Sequence, residues 1–246
     1  LEGYEPTYVG HPVQIKRALS LIKKAKKPLI IAGAGVIKSG ASKELLELVN
    51  KTDMPVATTL LGLGGFPENH DLSLGMLGMH GTVPANFATD EADLVIAAGI
   101  RFDDRIAGNP SKFCEHAKII HIDIDPAEID KNKKVDVPIV GDLKNVLAEI
   151  NKELEPKKHT EWTDKVKEWK NEYPLAHRNV GEDKLLPQEV LKAVNDILDG
   201  DAIVVTDVGQ HQMWAAQYLT FKNPDTIVTS GGAGTMGFGV PAAMGA

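Results

Sequence analysis

A glycine-containing loop from Gly33 to Gly35 follows a run of four apolar residues and precedes a predicted helix. In a loop of this kind, backbone amides and the positive end of the following helix favour the binding of a diphosphate. The pattern is GxG with the next glycine at Gly40, rather than GxGxxG. A turn that only packs a strand tightly against a helix would need the same glycines. Both interpretations, nucleotide binding and packing, stay open on these residues alone.

Four further segments follow predicted strands in the same way. They are Thr59-Leu60, Gly99 to Asp103, Asp123-Ile124 and Gly141 to Leu143. Ligands of doubly wound parallel sheets lie outside the carboxyl ends of several strands together. We therefore expect these segments and the glycine loop to line one crevice.

Isolated polar side chains near these segments allow more than one role. Asp123 ends the KIIHID strand and could accept hydrogen bonds from ribose or ribityl hydroxyls, or simply cap a loop. Asp142 is better explained as a helix N-cap than as a ligand, because aspartate ranks among the best capping residues. His80 fits a packed or solvent-facing histidine, and the sequence shows no cluster of metal-ligating residues.

Apolar runs alternate with helical repeats along residues 1–152. Buried strands are predicted in PLIIA before the glycine loop and at Pro55 to Thr59, Asp93 to Gly99, Lys118 to Asp123 and Val137 to Val140. Helices are predicted before Pro28, through Leu45 to Val49, and from Asp142 to Ile150. This alternation predicts an α/β fold, a doubly wound parallel sheet of Rossmann-like type with helices on both faces.

A highly charged stretch, residues 153–184, follows this domain. We interpret it as a linker with an exposed amphipathic helix bearing Trp162, Val166 and Trp169. Residues 185–246 then predict the start of a second α/β unit. Its elements are a helix from Pro187, a strand at Ala202 to Thr206, a helix after Gly209 and a strand at Thr226 to Thr229. Two parallel strands cannot bury both faces of a sheet, so this unit is expected to need further chain or a partner.

The overall composition excludes several classes of protein. The net charge of -7 argues against a nucleic-acid binder, which would carry a strong basic excess on one face. No apolar stretch approaches the roughly 20 residues that a membrane-spanning helix needs. The single cysteine, Cys114, cannot form an intrachain disulfide. It suggests a reducing compartment such as the cytoplasm, and we expect it to be packed inside the protein.

Five segments, read together, resemble a known family. They are GMLGMHGTVPAN, GIRFDDR, IIHIDIDPAEIDKN, DVGQHQMWAAQ and SGGAGTMGFGVPAAMGA. In this order and spacing they resemble the large catalytic subunit of biosynthetic acetolactate synthase (acetohydroxyacid synthase), from about His11 to Ala246. That family has three domains: a pyrimidine-binding domain, a central FAD-associated domain and a diphosphate-binding domain. The resemblance covers the central domain, residues 1–152, and the first part of the third, residues 185–246.

The resemblance implies two cofactor sites and part of a substrate channel. FAD would be contacted by Ala34, Thr59, Leu60, Leu77, Gly78, Met79, His80, Gly99, Ile100, Arg101, Phe102, Asp103, Asp123, Ile124, Asp142 and Leu143. Thiamine diphosphate would be contacted by Val208, Gly209, Gln210 and His211, with Gly234, Thr235 and Met236 beneath it. Asp104 and Arg105 match residues near the channel.

The types of these residues are compatible with binding thiamine diphosphate. Gly209 lets the backbone approach a diphosphate, while Gln210 and His211 offer donors at the start of a helix. Met236 is unbranched and polarizable, which suits an apolar wedge under a bent cofactor. Met213 and Trp214 are expected to be core residues.

The implied parent enzyme decarboxylates pyruvate on thiamine diphosphate and condenses it with a second 2-oxo acid in branched-chain amino-acid biosynthesis. FAD would be structural, because the net reaction transfers no electrons. The resemblance also implies a homodimer or homotetramer, which can carry a regulatory small subunit.

The family's activating glutamate lies in the first domain, and its Mg²⁺ ligands lie just beyond Ala246. The chain by itself is therefore expected to be inactive. Two alternatives are a fragment of a related pyruvate oxidase or glyoxylate carboligase, which the RFDDR string disfavours, and a non-catalytic module that binds FAD or a partner.

Overall fold

The computed structural model describes residues 5–176 and 184–246. Residues 5–176 contain a six-stranded sheet in which all neighbouring strands are parallel. The strands are β1 (Pro28–Ala32), β2 (Val56–Thr58), β3 (Ser73–Met76), β4 (Leu94–Ala98), β5 (Lys118–Asp123) and β6 (Val137–Val140). Their order is β3-β2-β1-β4-β5-β6. This is the doubly wound order, in which strands are added to one side of β1 as far as β3 and then to its other side from β4 onward. The predicted fold class is confirmed.

Five of these strands agree with the sequence prediction, and β3 was missed. Its sequence, Ser-Leu-Gly-Met, contains no apolar run, and glycine is a weak strand former. It pairs with β2 through an irregular register, which fits its place at the sheet edge.

Helices cover both faces of this sheet. In chain order they are α1 (Pro12–Lys24), α2 (Ala34–Lys38), α3 (Ser42–Thr52), α4 (Val83–Glu91), α5 (Asp104–Ala107), α6 (Leu143–Glu153) and α7 (Thr160–Glu172). Side chains of α1, α3 and α6 pack with Ile30 and Ile96 on one face. Side chains of α4 and α7 pack with Leu29 and Val95 on the other. Because successive strand residues point to opposite faces, every strand residue of β1 and β4 is buried.

The prediction that α7 is an exposed helix was wrong for its apolar face. Trp162 is 3% exposed, Val166 is fully buried, and Trp169 is also buried. The Trp162 Nε1–H donates a hydrogen bond of 2.9 Å to the carbonyl oxygen of Pro28, the first residue of β1. Spacing of i, i+4 and i+7 places the three side chains on one stripe, and the sheet face offers that stripe an apolar partner. The rest of the predicted linker falls partly on residues 177–183, which lie outside the described residues.

Residues 184–246 form a smaller unit around two parallel strands. Its elements are α8 (Pro187–Leu198), β7 (Val204–Val205), α9 (Gln210–Tyr218), β8 (Ile227–Val228) and α10 (Gly239–Gly245). The two strands are shorter than predicted, and α8 buries none of its residues. Met213 and Trp214 are half-buried rather than core residues, because α9 turns Gln212, Ala215 and Ala216 inward instead.

A third apolar cluster joins the two units. Leu63 and Met76 from the first unit pack with Ala216, Leu219 and Phe221 from the second. Within residues 5–176 and 184–246, no helix is both long and apolar enough to cross a membrane. Cys114 is buried as predicted, and burial raises the pKa of its thiol to about 12.

Glu68 lies at this junction and is hydrogen-bonded twice to Phe221. Its backbone N–H donates to the Phe221 carbonyl over 3.1 Å, and the Phe221 N–H donates to its Oε2 over 2.8 Å. Burial raises the pKa of the Glu68 carboxyl from 4.5 to about 8, although the Phe221 N–H opposes that rise. The carboxyl is therefore mostly protonated at neutral pH.

This raised pKa predicts that the stability of the protein falls as the pH rises from about 4.5 to about 8. The folded state binds the Glu68 proton more tightly than the unfolded state does, so unfolding releases it more readily as the pH rises. The slope is at most about 1.4 kcal/mol per pH unit. We expect Glu68→Gln, which keeps an acceptor for the Phe221 N–H but cannot ionise, to lack this decline. Urea unfolding at several pH values measures it, and a difference between the two proteins that is constant from pH 5 to 8 contradicts the prediction.

Candidate functional site

The carboxyl ends of all six strands of the first unit lie at one edge of the sheet. Because the strands are parallel, every predicted flavin-binding segment follows a strand at that edge. Gly33-Ala34 follow β1, Thr59-Leu60 follow β2, residues 77–80 follow β3 and residues 99–103 follow β4. Asp123 ends β5 and Ile124 comes directly after it, while Asp142-Leu143 follow β6. The segments that were expected to line one crevice therefore lie at the same edge of the sheet.

Three glycines bring β1 and β4 into backbone contact at the point where the strand order reverses. The Gly35 N–H donates to the Gly99 carbonyl over 3.1 Å. A Cβ on Gly33 would lie 2.3 Å from the Gly99 oxygen, and one on Gly99 would lie 2.4 Å from the Gly35 Cα. Close packing alone thus requires these glycines. The neighbouring Ala34 amide, in contrast, donates no hydrogen bond within the described part of the chain.

The segment Leu77 to His80 is held by groups on both sides. The Met79 N–H donates to the Arg105 carbonyl over 3.1 Å, and a Cβ on Gly78 would lie 2.5 Å from the same oxygen. Leu77 is buried, whereas Met79 and His80 are exposed at the edge. The exposure of His80 agrees with one of its two expected roles.

Asn86 on α4 is a residue that the sequence analysis missed. Its Oδ1 accepts from the Gly78 N–H over 2.9 Å, and its Nδ2 donates to the Gly78 carbonyl over 3.1 Å. This reciprocal pair fixes the backbone of the segment. Asn86 ends the GMLGMHGTVPAN string, but nothing in its spacing indicates which loop it meets.

His121 on β5 contacts the segment that follows β4. Its Nε2–H donates to the Ile100 carbonyl over 2.8 Å, which leaves Nδ1 buried without a partner among the described residues. Its ring makes an edge contact with Phe102, which is buried and has a φ of 50°. Burial lowers the pKa of His121, and the hydrogen bond to Ile100 opposes that shift only in part. The histidine is therefore a neutral support rather than a charged ligand.

Asp123 and Asp142, the two aspartates predicted at this edge, make different hydrogen bonds. The Asp142 Oδ1 accepts from the Asn145 N–H over 3.1 Å, so the predicted N-cap is confirmed. The Asp123 Oδ1 accepts from the Asp125 N–H over 2.9 Å, which is the loop-capping role. Its Oδ2 makes no hydrogen bond within the described residues and lies 3.9 Å from the His121 Nε2. Burial raises the pKa of the half-buried Asp123 carboxyl.

The remaining residues of this edge vary in exposure. Thr59, Ile100 and Leu143 are buried, Leu60, Asp103 and Ile124 are half-buried, and Arg101 is exposed. Asp103 caps α5 by accepting from the Arg105 N–H over 3.1 Å. Asp104 and Arg105, the predicted channel residues, are both exposed, and the Arg105 guanidinium has no ionic partner among the described residues.

The second candidate site lies in the smaller unit, at the turn between β7 and α9. Val208 is half-buried, while Gly209, Gln210 and His211 are exposed. The amides of these last three residues donate no hydrogen bond within residues 5–176 and 184–246. They stand at the N-terminus of a nine-residue helix, so the turn presents free donors and a positive dipole to an anion.

Gly234 to Met236 lie next to this turn, in the loop between β8 and α10. The Thr235 N–H donates to the Ser230 Oγ over 2.9 Å, and the Met236 side chain is 80% exposed. Asp207, which the sequence analysis did not assign, links this loop to the turn through its carboxylate. The structure thus brings both predicted thiamine diphosphate segments together.

The two candidate sites adjoin each other. The Gln217 Nε2 on α9 donates to the His80 carbonyl over 2.8 Å. A Cβ on Gly231 would lie 2.5 Å from the Leu61 side chain, and one on Gly64 would lie 2.2 Å from the Asn223 carbonyl. Among the described residues, no group of three or more His, Cys, Asp or Glu side chains is arranged to hold a metal ion.

Comparison with known protein families decides how these two units are classified. Residues 15–150, more than half of the chain, match the family described as "Thiamine pyrophosphate enzyme, central domain". The chain belongs to the thiamine pyrophosphate enzymes. Residues 207–246 match a second description, "Thiamine pyrophosphate enzyme, C-terminal TPP binding domain", and this match contains both segments of the second candidate site.

Relatives of this thiamine pyrophosphate enzyme chain are similar to it over its whole length. The chain is 48% identical to the "Probable acetolactate synthase large subunit" of Methanococcus aeolicus, of which it covers 44%. It is 49% identical to the protein of the same name in Methanocaldococcus jannaschii, covering 43%, and 49% identical to the "Acetolactate synthase large subunit" of Corynebacterium glutamicum, covering 40%. The chain thus spans about two fifths of the length of these curated relatives.

Proposed function

We propose that this chain is part of an acetolactate synthase large subunit. The whole protein would decarboxylate pyruvate on thiamine diphosphate and condense it with pyruvate or 2-oxobutyrate, in the biosynthesis of branched-chain amino acids. The observation that supports this most is the similarity of the entire chain to relatives that carry that name. The candidate sites add a physical reason, because each offers the donors that the cofactors of this activity need.

Thiamine diphosphate fits the turn between β7 and α9. The amides of Gly209, Gln210 and His211 would donate to its diphosphate, and Met236 would pack beneath the bent cofactor. When bound, thiamine diphosphate supplies the carbanion stabilisation that decarboxylation of a 2-oxo acid requires. This chain's residues would hold and orient the cofactor.

FAD fits the carboxyl edge of the six-stranded sheet. The free Ala34 amide would meet the diphosphate at the reversal point between β1 and β4, and the Asp123 Oδ2 would accept from ribityl or ribose hydroxyls. The flavin would be structural, since the condensation transfers no net electrons. Mg²⁺ is proposed as the metal that accompanies thiamine diphosphate, and none of the described residues is assigned as its ligand.

The whole protein is proposed to act as an oligomer. We propose a cytoplasmic homodimer or homotetramer that acts on small 2-oxo acids and can carry a regulatory small subunit. Asp104 and Arg105 would face the substrate channel, and their exposure fits a surface that another part of the protein covers.

The test is a chimera that joins this chain to the remaining segments of the Methanocaldococcus jannaschii relative, which is 49% identical over the chain. With thiamine diphosphate, Mg²⁺ and FAD, we expect it to form acetolactate from pyruvate. Oxidation of pyruvate with release of peroxide would instead indicate a pyruvate oxidase. A folded chimera that turns over no 2-oxo acid, while the intact relative is active, would contradict the proposal.

A further inference from the structure

The Asp207 carboxylate lies between the two segments of the second candidate site. Its Oδ1 accepts from the Val208 N–H over 2.7 Å and from the Gly237 N–H over 2.9 Å. Its Oδ2 accepts from the Gly237 N–H over 2.9 Å and from the Gly239 N–H over 3.3 Å. One side chain therefore holds the turn after β7, the loop after β8 and the start of α10.

The loop needs such an external support. Gly234 has a φ of 62° and Gly237 a φ of 86°, so its backbone departs from any regular element at two points. Within the described residues, the loop's contacts are sparse, and a Cβ on Gly232 or Gly237 would meet no atom within 4 Å. At Gly239 the backbone approaches Asp207 so closely that a Cβ there would lie 2.8 Å from the Asp207 nitrogen. Asp207 thus attaches the loop to the turn by hydrogen bonds and by close backbone packing.

Other groups join the two strands independently of Asp207. The Thr206 and Thr229 hydroxyls lie 2.7 Å apart, and the Gln212 Nε2 donates to the Thr229 Oγ1 over 2.7 Å. The strands themselves are paired through their backbones. Loss of the Asp207 carboxylate should therefore release the loop without separating β7 from β8.

The amides that hold Asp207 also keep it ionised. The Val208 N–H lowers the pKa of the carboxyl most, and burial opposes it. The N–H groups of Gly237 and Gly239 and the charge of His211 lower the pKa further. Because its charge is engaged by amide donors of the loop and of Val208, the free amides of Gly209 to His211 remain available for another anion.

We propose that Asp207 is a positioning residue for thiamine diphosphate, which fixes Gly234 to Met236 against the turn of Val208 to His211 so that both contact one cofactor. This inference rests on the proposed function. It adds a residue that touches neither the cofactor nor the substrate but sets the distance between the two segments that do.

The test compares Asp207→Asn with Asp201→Asn in the chimera described above. Both substitutions remove one negative charge from the same unit, but Asp201 is exposed near the amino end of β7, away from the turn. In Asp207→Asn an amide nitrogen faces the Gly237 or Gly239 N–H, where the wild type has an acceptor. Asp207→Glu keeps the charge and should recover part of the loss.

For Asp207→Asn we expect about a tenfold rise in the dissociation constant of thiamine diphosphate, the loss that a charged hydrogen bond corresponds to. Hydrogen exchange in residues 230–239 should become faster, while turnover at saturating cofactor changes less than the dissociation constant. Asp201→Asn should match the wild type in all three measurements.

Equal cofactor binding and equal exchange in Asp207→Asn and Asp201→Asn would overturn the positioning role. So would a loss in Asp207→Asn that is accompanied by unfolding of the unit and not recovered by Asp207→Glu. A wild-type chimera that fails to bind thiamine diphosphate would instead overturn the proposed function, and the positioning role would fall with it.

Discussion

Replacing Gly99 with alanine is expected to destabilise the protein by about 2–5 kcal/mol. Gly99 has a φ of 63°, which by itself costs an alanine about 1–2 kcal/mol. The added methyl would also lie 2.4 Å from the Gly35 Cα and 2.9 Å from its nitrogen, and neither backbone atom can move without shifting β1 or β4. The free energy of unfolding in urea measures the effect.

Gly40→Ala is the matched control for this substitution. Gly40 has a φ of 64°, almost the same as that of Gly99, but a Cβ there would meet no atom within 4 Å. It should therefore show only the backbone cost of about 1–2 kcal/mol. If the two variants lose equal stability, the contact between the β1 and β4 turns is not as close as described.

Replacing Trp162 with alanine is expected to cost about 3–5 kcal/mol, the range for a large buried aromatic side chain. The side chain is 3% exposed and fills the space between α7 and the sheet. Its loss also leaves the Pro28 carbonyl without the indole N–H that it accepts from over 2.9 Å. Urea unfolding followed by circular dichroism avoids the confounding change in tryptophan fluorescence.

Trp162→Phe separates the two contributions. It retains most of the apolar contact but removes the donor, so a loss of about 1–2 kcal/mol is expected. Tyr173→Ala, at the more exposed end of the same helix, should cost less than Trp162→Ala. If Trp162→Ala lowers the free energy of unfolding by less than about 1 kcal/mol, the apolar face of α7 is not packed against the sheet, and the helix is exposed as its charged sequence suggests.

Much of the fold could be predicted from apolar runs that end in glycine or aspartate. DLVIAAG and KIIHID each predict a buried strand with a ligand-facing end, and the parallel arrangement then gathers those ends at one edge. The strand Ser73–Met76 could not be found in this way, because its backbone pairing at the edge does not depend on an apolar run. The burial of Trp162 and Trp169 depends on a sheet face far away in the sequence.

The segments that form the candidate sites could be predicted from the sequence. The side chains that hold those segments in place could not. His121, Asn86 and Asp207 each hold a predicted segment through its backbone, and no spacing rule indicates which loop they meet. His121 alone left a signal, a polar side chain at an inward position of the KIIHID strand. The glycines of the first loop carried an ambiguous signal, since the contact with Gly99 explains them without any ligand.

The most direct test of the account is whether the purified chain retains flavin. The chain is mixed with FAD, passed through a desalting column, and its flavin absorbance is compared with the protein concentration. The account predicts retention in stoichiometric amount for the wild type and for Gly40→Ala, and loss of flavin in Gly99→Ala. A wild-type chain that emerges without flavin, while circular dichroism shows it to be folded, would contradict the proposal that the carboxyl edge of the sheet binds FAD.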